Sequence, residues 1–228
     1  METRAMLRSN EDVSLKPDEG NQPASLRVLL VGNYREDGQE SMQRFSALLA
    51  SHLPEQGVSI ELIRPPAILG RLGAGMGSLR KWMGYVDKFV LFPLTLRKRI
   101  SALVAHPSKS VVVHICDHSN SIYTRWIREA PCIVTCHDLL AVRGALGEDT
   151  DCPASAFGRI LQAQILRGLS AADYVVCDST ATRTDLIRLS GSQIESRSSV
   201  VLLAQNYPYR RVEIESARAE LAGSGTLN

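Results

Sequence analysis

Hydrophobic positions along this chain fall into short, near-continuous aliphatic runs separated by stretches of helical spacing. The runs are Leu26–Gly32, Val58–Ile63, Val111–Ile115, Ile133–Cys136, Tyr174–Cys177 and Val200–Leu203. Each has the length and β-branched content of a strand, and most lack polar alternation, the mark of strands buried on both faces. Between them, Ser41–Leu53 carries Phe45, Leu48, Leu49 and Leu53 on one helical face. Leu79–Val104 is a second helical stretch, in which Pro93 predicts a break or kink. Further helices are predicted around Ile122–Arg128, Ala156–Leu169 and Thr182–Leu189, with a short piece over Glu213–Leu221. Strands alternating with helices specify an α/β fold: a Rossmann-like, doubly wound, mostly parallel sheet with helices on both faces.

This pattern divides the chain. Residues 1–25 are polar, contain Pro17, Gly20 and Pro23, and lack an apolar core, so they read as a disordered leader rather than a signal peptide. Residues 26–203 form the folded domain, and 204–228 read as a linker with one short helix.

Composition changes this picture in two places. The net charge of +2 excludes a dedicated nucleic-acid binder, which carries a strong basic excess. Between Arg64 and Val104, however, eight basic residues face a single acid, Asp87. With Trp82, Phe89 and Phe92 alongside, that stretch is either an amphipathic cover for the sheet or a peripheral membrane or anion contact through Arg97, Lys98 and Arg99. Five cysteines without a C-x-x-C pair, and no apolar run long enough to span a bilayer, point to a reducing, cytoplasmic setting, free or peripheral to the inner face of the membrane.

Candidate chemistry gathers at the predicted carboxyl ends of strands, where open α/β sheets bind ligands. Ile133–Cys136 runs into His137-Asp138; the imidazole can donate to a sugar hydroxyl or phosphate, and Asp138 can orient it, cap the next helix or bind hydroxyls. The first strand leads into Gly32, Asn33, Tyr34 and a polar loop to Ser41. One glycine in register does not make a dinucleotide fingerprint, so the loop suits a hydroxylated ligand, or else it is solvated and Ser41 caps the next helix. Gly73–Ser78 lacks the Lys-Ser/Thr ending of a phosphate loop, and no G-x-S-x-G elbow is present. His114, Asp117 and His118 end one strand and Cys136, His137 and Asp138 another; these would converge on a metal only if the strands are neighbours, and no ligand spacing supports one. His114, inside an apolar run, reads as a core histidine. At the next strand end, Ser179 and the threonines after it cap a helix with Asp185 in its first turn, and its N-terminus is a further anion position.

Taken in order, Leu26–Leu53, Ile133–Leu139 and the Asp173, Val175, Ser179, Thr182, Asp185, Leu186 series resemble the N-terminal half of a GT-B glycosyltransferase of the family 4 (group 1) type. The resemblance spans 26–203. Gly32-Asn33-Tyr34 stands where the family has a glycine pair, and Gln205–Tyr209 where it has an Asn-Gly-Val-Asp-like turn. It implies one half of a GT-B fold, contributing the acceptor side of a cleft for retaining transfer from a nucleotide sugar to an acceptor hydroxyl. His137 and Asp138 would be catalytic; Asn33, Tyr34, Ser41 and His118 would face the acceptor; Gly32 and Ser179 would lie near the donor. No metal or tightly bound cofactor is implied, the nucleotide sugar being a co-substrate. The donor half would be a missing C-terminal Rossmann domain, in cis or trans, leaving this chain inactive alone. Two alternatives are a stand-alone Rossmann-like binding or regulatory module and a small metal enzyme built on His118 and His137.

Overall fold

A computed structural model describes residues 26–72, 78–106, 110–203 and 211–223. The leader expected over 1–25, the glycines at 73–77 and most of the linker expected from 204 lie outside the described residues. Six strands form one sheet: β1 (Arg27–Val31), β2 (Ser59–Ile63), β3 (Val111–Ile115), β4 (Cys132–Cys136), β5 (Tyr174–Cys177) and β6 (Ser198–Val200). Their order is β2-β1-β3-β4-β5-β6 and every pairing is parallel. The order reverses between β1 and β3, so the sheet has its topological switch point there.

Alternation along β1 shows why both faces must be covered. Val28 and Leu30 pack under α1 (Glu40–His52), against Phe45, Leu49, Ile60 and Leu62. Leu29 and Val31 face the opposite way, into the larger core with Phe92, Leu96, Ile100 and Leu103. α2 (Leu69–Leu72) is a single turn. α3 (Ser78–Val86) continues through a π-helical turn, Asp87–Leu91, into α4 (Phe92–Val104). The break expected at Pro93 does not occur. Pro93 sits in the first turn of α4, where a missing N–H costs least, and the Phe92 N–H bonds to the Asp87 carbonyl five residues back.

Three further expectations are corrected. The helix placed at Ile122–Arg128 is a run of 3-10 turns, His118–Trp126, started by the Asp117 carboxyl accepting from Ser119 N at 2.9 Å. The loop after His137 contains α5 (Leu140–Ala145). The last strand starts two residues and ends three residues earlier than expected, because β5 ends at Cys177, opposite Val200. Val201, Leu202 and Leu203 run past it and are 57%, 74% and 54% exposed. α6 (Ala156–Ala171) and α7 (Thr180–Ser190) lie as expected. α7 begins early enough that Asp185 is beyond its first turn and pairs with Arg143 and Arg188 at 3.1 and 2.9 Å. α8 is Ile214–Gly223.

Candidate functional site

Parallel pairing in register carries four polar side chains to one edge. Cys136 pairs with Cys177 across β4 and β5, so the residues that follow, His137 and Asp178, are neighbours. His137 Nδ1 lies 3.1 Å from Asp178 Oδ2, and Nε2 lies 3.0 Å from the carbonyl oxygen of Cys116, at the end of β3. Carboxylate and carbonyl oxygens both only accept, so the two contacts compete for the ring's N–H groups. The ring is held a third time by Phe45 of α1, edge-on at 4.9 Å. The backbone of His137 is held as well: Ser179 accepts from Thr182 N at 3.1 Å as the N-cap of α7, and the Thr182 hydroxyl donates to the His137 carbonyl at 3.1 Å. Asp138 takes the second of the roles open to it. It is exposed, accepts from Leu140 N at 3.0 Å and leaves the orienting of His137 to Asp178.

At the switch point a second cluster forms. The Asn33 side-chain amide donates to Asp117 Oδ2 and Gln39 Oε1, and its oxygen accepts from Asn120 Nδ2 at 3.0 Å. Burial alone would push the Asp117 carboxyl up, but His118 and the donors from Asn33 and Ser119 hold it below the usual range. His118 Nδ1 is 3.2 Å from Asp117 Oδ1, and burial pushes its imidazole down against that attraction. Tyr34 turns inward too. Its hydroxyl donates to Asp87 Oδ2 at 3.1 Å, and burial, ahead of the Asp87 contact, pushes it up to about 12. Asn33 and Tyr34 are therefore interior residues whose polar atoms are taken by the protein, not a solvated loop. The exposed part of that loop is Arg35–Gln39. Asp87 also accepts from the backbone of Leu69 and Gly70, and a Cβ on Gly70 would collide with the Tyr34 hydroxyl.

Gly32 is buried over the Arg64 side chain, where an added Cβ would meet Arg64 Nε at 3.0 Å. Arg64 Nη2 donates to Ser46 Oγ at 2.9 Å, while its Nε is buried without a partner. Burial lowers the Arg64 pKa. Ser41 does not cap α1, whose N-cap is Gln39; it is exposed at the mouth of a groove of about 520 Å³. Met42, Phe45, Leu49, Leu203 and His137 line that groove. Its chemistry is apolar with a few convergent polar groups, the make-up of a small-molecule site.

No protein-family model matches the chain, and no curated protein matches it in sequence. Among solved structures, it is similar to UGT73P12 of Glycyrrhiza uralensis, complexed with glycyrrhetinic acid 3-O-monoglucuronide: TM-score 0.47, 10% identity, covering 78% of this chain and 48% of that one. It is also similar to LpCGTa in complex with UDP: TM-score 0.49, 12% identity, covering 88% of this chain and 64% of that one. The chain thus spans 48% and 64% of those two chains.

Other predicted positions are distributed away from this edge. β3 and β4 are neighbours, yet among the described residues no three His, Cys, Asp or Glu side chains are grouped to hold a metal. His114 donates to or accepts from Thr135 Oγ1 at 2.8 Å within the sheet, and burial takes its pKa down to about 4. The Cys116 thiol is pushed up to about 12 by burial, so it is no nucleophile. Arg97 and Lys98 are exposed on α4, Arg99 instead grips Glu61 with two bonds of 2.5 Å, and Phe92 is fully buried rather than poised to enter a bilayer. Asp178, Asn120, Phe45 and Arg64 belong to the site but were not singled out from the sequence. The available signal was a repeated strand ending, Ile115-Cys116-Asp117, Thr135-Cys136-His137 and Val176-Cys177-Asp178.

Proposed function

We propose that this chain forms the acceptor side of the cleft of a nucleotide-sugar-dependent glycosyltransferase of the GT-B, family 4 type. In that reaction the acceptor hydroxyl oxygen bonds to the anomeric carbon as the bond to the nucleotide diphosphate breaks, and the hydroxyl proton passes to the departing diphosphate. The single observation that carries the reading is the convergence of His137, Asp178, Asn33 and Asp117 on the carboxyl edge of four adjacent strands, beside an open groove that His137 helps to line. The groove's apolar wall with Ser41 at its mouth suits an acceptor with both hydroxyls and an apolar part. His137, oriented by Asp178, supplies an N–H next to the transferred sugar once a hydroxyl replaces the Cys116 carbonyl as its partner. Gly32 with Arg64 beneath it, and Ser179 at the N-terminus of α7, stand on the donor side. A second Rossmann-like domain would bring the nucleotide site.

One observation favours a second reading, a binding module without turnover: both nitrogens of His137 already have protein partners.

Titration of the purified chain with octyl glucoside below its critical micelle concentration, followed by NMR, separates these from an unrelated role. Binding is expected at the groove, weakened at least about tenfold by His137→Ala, with no sugar transfer from UDP-sugars by this chain alone. Turnover by the chain alone would remove the need for a donor domain. Binding that ignores His137→Ala would remove His137 from the site.

A further inference from the structure

The outer side of the continuous helix built from α3, the π turn and α4 is apolar where a solvated helix would be charged. Trp82, Val86, Val90 and Leu94 recur every fourth residue along it and are 59%, 37%, 54% and 55% exposed. α6 adds Phe157 and Ile160, 46% and 63% exposed, with the Phe157 ring 5.9 Å from Trp82 and 5.6 Å from Tyr85. These side chains form one surface with a set of cations. A small hollow of about 140 Å³ joins Phe157 and Ile160 to Arg125. Arg125 shares the next hollow, about 410 Å³, with Arg97, Arg128 and Trp126, and Arg97 shares a third with Lys98 and Leu94.

Acid is outnumbered on this face. Asp87, the one acid among the eight basic residues of 64–104, is fully buried and bonded to Tyr34 and the backbone of α2. Glu129 lines the second hollow, is exposed, and accepts from the Ser101 hydroxyl, so it is the one acid among the residues of the three hollows. Arg99, by contrast, points to Glu61 and away from the patch.

We propose that this face docks on an anionic lipid bilayer, the apolar side chains entering the headgroup boundary while Arg97, Lys98, Arg125 and Arg128 meet lipid phosphates. An apolar row about 18 Å long from Trp82 to Leu94, lying flat and edged by cations, is the form of an interfacial helix. Among the described residues no helix is long and apolar enough to cross the membrane, so the contact is peripheral. Four cations, Arg97, Lys98, Arg125 and Arg128, against one exposed acid, Glu129, favour a uniformly negative surface over a protein partner, whose interface would present charges of both signs. The proposal does not depend on sugar transfer, and its test contains no sugar.

The purified chain is sedimented with phosphatidylcholine vesicles, and with vesicles in which about 30% of the lipid is phosphatidylglycerol, at low salt and at about 0.5 M NaCl. Binding is expected to the anionic vesicles alone, with salt weakening it. In a Trp126→Phe background the Trp82 emission shifts to the blue on binding. The pair Arg97→Glu and Lys98→Glu, and separately the pair Trp82→Ser and Ile160→Ser, weaken binding at least about tenfold with the thermal midpoint unchanged, since all four residues are exposed. Absence of sedimentation, equal binding to neutral vesicles, or indifference to both variant pairs overturns the proposal. Concentration-dependent dimerisation abolished by the same pairs, without lipid binding, overturns it in favour of a second copy of this chain.

Discussion

His114 and His137 are carried on adjacent strands and have different surroundings. His114 lies within β3, bonded to Thr135 across the β3–β4 pairing, and its pKa of about 4 is set first by burial and then by the charge of His137. In the unfolded chain an imidazole titrates near its ordinary value of about 6.5. Between the two values the unfolded state binds a proton that the folded state refuses, so His114 contributes stability above pH 6.5 that is lost as pH falls toward 4. The loss is on the order of 3 kcal/mol at most. Urea unfolding at pH 7.5 and 4.5 should therefore show the wild-type losing about 2 kcal/mol more than His114→Gln, which keeps a partner for Thr135 but cannot titrate. Equal losses in the two proteins would show that the buried ring is not what makes the fold acid-sensitive. The placing of His114 in the core was legible because it interrupts an aliphatic run. The partner of His137 was not: Asp178 lies forty-one positions away in sequence, and only the β4–β5 register makes it a neighbour. Asp138, adjacent in sequence, points elsewhere because consecutive residues at a strand end project to different sides.

At the level of elements, the tightest junction is between α6 and the 3-10 run. Gly168 has no room for a side chain, since a Cβ there would collide with the carbonyl of Ser121, and the Ser121 hydroxyl donates to the Ile165 carbonyl at 2.7 Å. Backbone meets backbone, so neither partner can yield by a rotamer change. Gly168→Ala should destabilise by about 1–3 kcal/mol despite the better helix propensity of alanine, read as a lowered urea midpoint. A neutral or stabilising change would mean the two elements can separate at no cost. This contact also accounts for what the periodicity of the chain left out. The apolar positions Ile122, Tyr123 and Ile127 indicate a helix, but Asp117, Asn120 and Ser121 before them satisfy polar contacts that draw the segment into tighter 3-10 turns. The π turn and β6 escaped for the same kind of reason. One depends on where Asp87 finds donors, the other on where β5 ends, and both are tertiary facts.

For the whole molecule, the sheet order decides which parts can be rigid. β1, β3, β4 and β5 have a hydrogen-bonded neighbour on each side, and they carry Asn33, Asp117, His137 and Asp178 at their carboxyl ends. β2 and β6 are edges, and every residue of β2 is only half-buried. A site whose geometry must hold within a fraction of an ångström belongs on the four inner strands. Local opening follows burial and pairing, so amide exchange should be slowest in β1, β3 and β4, where Leu29, Leu30, Val113 and Val134 are fully buried, and clearly faster in β2 and β6. β5 should be intermediate at its β6 side, because β6 is three residues long and the chain beyond it runs out into solvent at Val201. Exchange measured by NMR under native conditions gives the order directly. If β6 exchanges as slowly as β3, the chain after Val200 supports that edge, and the groove bounded by Leu203 is then a fixed wall instead of an adaptable one.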